Sequence, residues 1–231
     1  TLVNTYGDNK ETYQYQYDNN KNIILKYENG KETSYTYDAL NRLKTISEVT
    51  YQEIGNEELE RVETLLTTYI YDKAGNRTKE VSGTVTKEYT YDSNNRLTKI
   101  VEKENNVITK TTVYTYDNNG NQITETINNE VKVTNTYNNR NELIKTISDK
   151  EINYIYNPEG KRIQKQVDNK VIKYIYEGLD VILELDENDN KIAQNIYGLS
   201  LISRNTDQKG YYLYNGQDYW TMSPYMWKLF I

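Results

Sequence analysis

Polar and apolar positions alternate with a period of two along most of the chain. The alternation is clearest at pairs of tyrosines one residue apart: Tyr15/Tyr17, Tyr35/Tyr37, Tyr69/Tyr71, Tyr89/Tyr91, Tyr114/Tyr116, Tyr154/Tyr156 and Tyr174/Tyr176, with Tyr137 alone in one drifted copy. Side chains of a strand point alternately to its two faces, so the two rings of each pair share a face. Tyrosine, threonine and isoleucine, which fill these stretches, suit a pleated, half-buried surface. The pattern predicts strands.

Each tyrosine pair runs into Asp or Asn, and three residues later comes Asn or Gly. Asp18 opens the first such turn, followed by Asp38/Asn41, Asp72/Gly75, Asp92/Asn95, Asp117/Gly120, Asn138/Asn141 and Asn157/Gly160. That is a type I turn signature: the first side chain bonds back to the turn's backbone, and the last position takes positive φ. A second strand follows, predicted over 42–46, 96–101, 122–127, 142–147 and 162–167. The unit is therefore a β-hairpin. The second tyrosines fall at 17, 37, 71, 91, 116, 137, 156 and 176, so most steps are close to 20 residues. Two short strands and two turns fill that length. Between units lie further turns, such as Asn29-Gly30, Asn105-Asn106, Asn128-Asn129 and Asp168-Asn169, which return the chain into an antiparallel meander. The expected fold class is all-β.

The Tyr-x-Tyr-Asp-x-x-Gly/Asn-Arg-Leu unit, read at its fullest in residues 35–43, resembles the YD repeat of rearrangement-hotspot (Rhs) proteins, the C subunits of insecticidal toxin complexes, bacterial wall-associated proteins and teneurins. About nine copies carry the resemblance over residues 6–216. Residues 176–214 are similar to the segment that leads into the core region of bacterial members. The resemblance implies an array of hairpins whose sheet curves and spirals into a hollow shell, here a partial one. It also implies a toxin enclosed in that shell in several bacterial members, and it brings an attributed carbohydrate binding.

Two stretches break the pattern. Residues 47–68 account for the 34-residue step between Tyr37 and Tyr71. They fit a longer hairpin, which the neighbouring strands favour, or a helix capped by Asn56 with Leu59, Val62 and Leu66 on one face. Residues 217–231 hold both tryptophans, both methionines and the single phenylalanine. This tail reads as the product of a frameshift or truncation, or as an aromatic cap over a sheet end. The domain division is then 1–216 for the array and 217–231 for the tail. The chain starts in mid-repeat, so its first residue reads as a fragment boundary.

Composition narrows the chemistry. Val, Leu, Ile and Phe make up about a fifth of the chain, close to a level at which order fails, but 25 tyrosines supply ring area to bury. There is no cysteine and no histidine. Disulfides, thiolate catalysis, His-based triads and the usual transition-metal ligands are therefore excluded. A net charge of −6 argues against nucleic acid, and no apolar run is long enough to span a bilayer as a helix.

Candidate sites reduce to turn chemistry. Asp186-Glu187-Asn188-Asp189-Asn190 begins like a calcium loop, but Lys191 stands where Gly is needed and Tyr197 where a bidentate Glu belongs. Asp117 to Asn121 fails in the same way. Gly198-Leu199-Ser200 lacks the closing glycine of a nucleophile elbow. The two prolines follow Asn157 and Ser223, so the Asp-Pro core motif of self-cleaving Rhs proteins is absent. No catalytic residue, metal or cofactor is expected. The residues expected to matter are those of the repeat motif, with the tyrosines holding the sheet through cross-strand ring pairs.

The resulting expectation is a non-enzymatic segment of an Rhs-type shell, secreted or at the cell surface. Its partners would be the upstream and downstream parts of a larger polypeptide and a toxin cargo. The alternative is a surface adhesin whose exposed tyrosines stack on glycans.

Overall fold

The computed structural model describes residues 2–6, 9–55, 58–198, 201–206, 209–214 and 219–222, and these contain strands and turns but no helix. The strands are β1 (Leu2–Tyr6), β2 (Asn9–Tyr17), β3 (Ile23–Glu28), β4 (Lys31–Tyr37), β5 (Leu43–Glu53), β6 (Leu59–Tyr71), β7 (Arg77–Ser82), β8 (Val85–Tyr91), β9 (Leu97–Glu104) and β10 (Val107–Tyr116). Then come β11 (Gln122–Ile127), β12 (Glu130–Tyr137), β13 (Leu143–Ile147), β14 (Glu151–Tyr156), β15 (Arg162–Val167), β16 (Lys170–Glu177), β17 (Asp180–Leu185), β18 (Lys191–Tyr197), β19 (Leu201–Asn205), β20 (Lys209–Tyr214) and β21 (Tyr219–Met222).

Two compact units divide the chain, with the boundary falling within β10–β12. In the first, each strand from β1 to β10 pairs antiparallel with the next in sequence. In the second, the same holds from β12 to β21. Both are meanders, so successive turns lie at opposite ends of the strands. At one end sit two-residue turns with both φ values positive, as in Asn29-Gly30 (48°, 85°) and Asn105-Asn106 (49°, 66°). These are the geometries whose twist suits a tight hairpin.

At the other end sit the Asp turns of the tyrosine repeat, whereas the Asp186 turn, between β17 and β18, lies at the end of the two-residue turns. The Asp38 N–H donates to the Arg42 carbonyl (2.9 Å), and the Asn41 N–H donates to the Asp38 carbonyl (3.0 Å). This is a three-residue loop, a type I turn closed by a left-handed residue. Asn41 has φ 59° and its counterpart Gly75 has φ 94°. The fifth residue, Arg42 or Arg96, belongs to the turn. The strands after these two turns therefore begin at Leu43 and Leu97, one residue later than the sequence suggested.

A bulge recurs at the tyrosine end of the eight hairpins whose register there is defined. Thr36 faces Thr45 and Tyr37 faces Leu43, leaving Lys44 without an opposite residue. Ile24, Thr78, Thr98, Ile144, Ile163, Ile182 and Ile202 occupy the same place in their hairpins. An extra residue at a fixed position adds local right-handed twist at every unit.

Residues 47–68 form the longer hairpin. β5 and β6 pair from Thr45↔Thr68 to Glu53↔Leu59. The helix alternative falls there because residues 59–65 pair with β5 strand to strand. Asn56 and Glu57 lie outside the described residues. Of the tail, Tyr219–Met222 pairs with β20; residues 217, 218 and 223–231 lie outside the described residues.

Burial is shallow. Among the described residues, Val49 (5% exposed) and Ala193 (0%) are the buried apolar side chains. The chain exposes 16601 Å², whereas a compact monomer of its 27.3 kDa would expose about 11,000 Å². The repeat tyrosines are half-buried on one face, except Tyr17, which is 56% exposed. The residue between the two of a pair points to the other face and is exposed, as at Ile70 (48%), Ile155 (48%) and Ile175 (42%).

Candidate functional site: the tyrosine ladder and the turn rim

With so little core, the units must be joined by other means. The first is the Asp turn itself. Asp38 Oδ1 accepts from the backbone N–H groups of Leu40 (2.9 Å) and Arg42 (3.0 Å), and Oδ2 accepts from Arg42 Nε (2.7 Å). Asp92 repeats this with Asn94 and Arg96. Asp18, Asp117 and Asp186 bind their turns in the same way, with Asn22, Asn121 and Asn190 as fifth residue. Asp72 uses Asn76. Hydrogen bonds from the fifth residue hold all six carboxyls below the ordinary Asp value: its side chain leads at Asp18, Asp72, Asp117 and Asp186, its backbone N–H at Asp38 and Asp92. Where the first residue has become Asn138, the fifth is Glu142, and the polarity of the side-chain bond reverses: Asn138 Nδ2 donates to Glu142 Oε2 (2.6 Å). The drift conserves the bond.

The fifth residue or its neighbour also reaches the next turn. Asn20 and Asn22 donate to Asn41 Oδ1 (both 3.0 Å), Arg42 to the Asp72 carbonyl (3.2 Å), and Asn76 to Asn95 Oδ1 (2.8 Å). In the second unit Asn119 and Asn121 donate to Asn141 Oδ1 (both 2.9 Å), Arg140 to the carbonyls of Pro158 and Asn157, and Lys161 to the Gly178 carbonyl (2.6 Å). Gly75, Gly120 and Gly160 lie in this rim with φ 94°, 90° and 81°. Gly120 acts through its backbone alone. Its N–H closes the turn on the Asp117 carbonyl (3.1 Å), and the bonds to the next turn come from its neighbours Asn119 and Asn121. Within each unit the turns of the tyrosine repeat thus form a hydrogen-bonded rim, from the Asp18 turn to the Asp92 turn in the first and from the Asp117 turn to the Gly178 turn in the second.

The second tie is made by the second tyrosine of six hairpins. Tyr37 donates its hydroxyl to the Ile23 carbonyl (2.8 Å), Tyr71 to Leu43 (2.7 Å) and Tyr91 to Arg77 (2.9 Å). Tyr137 donates to Gln122 (3.2 Å), Tyr156 to Leu143 (2.9 Å) and Tyr176 to Arg162 (2.9 Å). Where the ladder between hairpins is defined, its last pair lies two residues short of the acceptor. Leu25↔Ser34 precedes Ile23, and Lys145↔Asn153 precedes Leu143. The strands part at the turn end, and the phenol spans the gap to a carbonyl that the ladder does not reach. Burial raises Tyr37, Tyr91, Tyr137 and Tyr156 above the usual phenol value.

The first tyrosines stack on cations. The Arg77 guanidinium lies 5.2 Å from the Tyr69 ring centre and 5.0 Å from that of Tyr89. Arg162 lies likewise between Tyr154 (5.4 Å) and Tyr174 (5.3 Å), and Arg42 sits over Tyr71 (4.6 Å). Tyr89 also donates to Glu80 (3.1 Å), which pairs with Arg77 (3.2 Å), and burial pushes its phenol up to about 12. These rings therefore meet cations across strands. The ring pair Tyr15–Tyr17 (6.5 Å) lies within one strand, and hydroxyl and cation contacts join the tyrosines above across strands. Tyr15 and Tyr35 lie half-buried on the same face as their partners, and Tyr114 and Tyr116 are half-buried in β10.

The remaining candidates hold no separate site. Asp186 binds its own turn, and Asp189 pairs with Lys173 (2.6 Å). Among the described residues no group of three or more Asp or Glu could hold a metal ion. Leu199 and Ser200 lie outside the described residues. A polar knot near the C-terminal end joins Arg204 to both oxygens of Glu184 (2.5 and 2.8 Å) and to Asn195 (3.2 Å), which donates to the Val181 carbonyl (2.8 Å). The sequence singled out none of these four residues for it.

No curated protein sequence matches the chain. Solved structures do: the crystal structure of TcdB2-TccC3-TEV (TM-score 0.62, 16% identity, 91% of this chain) and the Photorhabdus luminescens Tc holotoxin pore (TM-score 0.62, 15% identity, 91%). TcdB2-TccC3 without its hypervariable C-terminal region matches as well (TM-score 0.61, 14% identity, 93%). The chain spans 13% of the length of each of these chains, and the likeness is one of fold. The Teneurin YD-shell family matches residues 52–218, the stretch that holds most of the Asp turns and the phenol ties. The chain belongs to the YD-shell family.

Proposed function

We propose that the chain is a length of wall in an Rhs-type shell that encloses a toxin cargo, and that it has no catalytic part. The observation that carries this is the mode of cohesion. Neighbouring hairpins are tied by phenol-to-carbonyl and turn-to-turn bonds while almost no apolar side chain is buried. A sheet one layer thick can then separate two spaces, because each unit needs only its neighbours. The wall's own partners would be the adjoining parts of a longer polypeptide, and its setting outside the producing cell. The test is proteinase protection of a downstream passenger in the native gene product. The passenger survives when the phenol ties are intact and is digested when Tyr37, Tyr71 and Tyr91 are all phenylalanine. Equal digestion in both overturns the reading.

The glycan-binding alternative asks for free tyrosine faces. Six second tyrosines have their hydroxyls on backbone carbonyls, and Arg77 and Arg162 cover four first tyrosines. Nothing favours that alternative over the wall.

A further inference from the structure

The β5–β6 hairpin leaves the sheet. β4 accompanies β5 only as far as Glu32↔Val49, and β7 accompanies β6 only from Thr67↔Ser82 onward. Residues Thr50–Glu53 and Leu59–Val62 therefore pair only with each other. They form a two-stranded ribbon that continues about 13 Å past the last shared register pair before its tip. A ribbon needed only to hold the array would end where its neighbours end, as those of β3–β4 and β7–β8 do.

The ribbon is exposed and two-toned. Tyr51 (51%), Ile54 (59%), Leu59 (62%), Leu65 (59%) and Leu66 (42%) all stand in solvent. From the register, Tyr51, Leu59 and Leu65 share one face with Glu53, Arg61 and Glu63. Residues 50–66 hold five glutamates against one arginine, so this short segment carries −4 of the chain's net −6. Its one base is already engaged: Arg61 pairs with Glu63 and approaches Glu32 at 3.8 Å. Tyr51 is held to Glu32 at the root of the ribbon (3.2 and 3.3 Å). Glu53, Glu58 and Glu60 are exposed acids around an apolar strip.

We propose that this ribbon is a docking element for a basic protein surface, one in which Lys and Arg surround an apolar patch. Both halves of the pattern are needed. The apolar strip, left in water, is the kind of surface that a partner covers, and the ring of uncompensated acid selects a partner of opposite charge. A second copy of the chain is disfavoured by the same charge, since two ribbons would bring like charges together. The proposal stands apart from the wall reading: it holds or fails whatever the sheet encloses.

The probe is a short amphipathic peptide of leucine and lysine, with an oligolysine of equal charge as its control. Binding to the full chain is measured by fluorescence anisotropy. Three variants are compared with the parent. In the first, residues 51–61 are replaced by Asn-Gly, so that Thr50 and Val62 flank a two-residue turn. The second combines Glu53→Gln, Glu58→Gln, Glu60→Gln and Glu63→Gln. The third combines Leu59→Ser and Leu65→Ser. The backbone ladder of the removed residues is with each other, and their ties to the retained sheet are the exposed contacts of Tyr51 and Arg61 to Glu32 and Glu63, so the shortened chain keeps its far-ultraviolet circular dichroism and a melting midpoint close to the parent's. Each variant is expected to bind the leucine–lysine peptide at least about ten-fold more weakly than the parent. Parent binding should weaken as salt rises from about 50 to about 500 mM. Undiminished binding by the shortened chain overturns the proposal, as does oligolysine binding equal to that of the amphipathic peptide. So does ribbon-dependent association with phosphatidylcholine vesicles or with itself in place of the peptide.

Discussion

The phenol tie can be isolated by one pair of substitutions in a single strand. Tyr37→Phe keeps the ring and deletes the hydroxyl that donates to the Ile23 carbonyl at 2.8 Å. Tyr35→Phe makes the same chemical change two residues away on the same face of β4, where the hydroxyl has no hydrogen-bond partner among the described residues. Losing a half-buried hydrogen bond while the ring stays in place costs about 1 kcal/mol. The control should stay within about 0.5 kcal/mol, as a change away from such a bond does. In urea, with a slope of about 3 kcal/mol/M, the Tyr37 variant's midpoint falls by about 0.3 M at unchanged slope. The ties repeat two strands apart, or about 10 Å, so they should add. Replacing Tyr37, Tyr71 and Tyr91 together then lowers stability by about 3 kcal/mol, a large share of a typical domain's 5–15 kcal/mol. Far-ultraviolet circular dichroism against urea reads all four proteins. If the single Tyr37 and Tyr35 variants shift equally, ring burial alone holds the hairpins together and the ladder of phenols is incidental.

Three other outcomes follow from the same geometry. Gly160→Ala places a side chain at φ 81°, and should cost about 1–2 kcal/mol in the same urea assay, with Gly160→Asn costing less. Stability should fall at both ends of the pH scale. The six turn aspartates are depressed when folded, so their contribution is full above about pH 4, the unfolded Asp value, and is lost as pH falls through their folded values. The buried phenols are raised, so theirs is full below about pH 10 and is lost as pH rises through the folded values, up to about 12 for Tyr89; melting midpoints across pH 2–12 should bracket a plateau. Arg204→Met leaves Glu184, whose side chain is 13% exposed, without its bidentate partner. It should cost about 2–3 kcal/mol, with Glu184→Leu/Arg204→Met recovering part of the loss.

The strands, the Asp turns and the antiparallel meander were legible because each has a local signal: the period-two tyrosines, Asp38 to Asn41, Asn29-Gly30. The long hairpin at 47–68 was less so, since Leu59, Val62 and Leu66 also fit a helical face; antiparallel pairing of β6 with β5 decides it. The bulge at Lys44 and its counterparts was not legible, because the extra residue can be Lys, Thr or Ile and shows only in the register. The phenol acceptor is a backbone carbonyl, which any residue supplies, so Ile23, Leu43 and Arg77 share no side-chain signature. The fifth turn residue left a trace that could have been read: Asn or Arg follows Asp, whereas Glu142 follows Asn138. Complementary exchange at a fixed spacing of four is what a conserved side-chain bond predicts. The Arg204–Glu184 pair spans 20 residues and has no repeat to mark it.

The central claim is that these hairpins are wall, and electron cryomicroscopy of the native gene product tests it most directly. The account predicts residues 1–231 as one continuous stretch of a closed chamber, a single sheet thick, with density for a separate polypeptide inside. The same residues standing as a sheet with solvent on both faces, in a protein without a chamber, would contradict it.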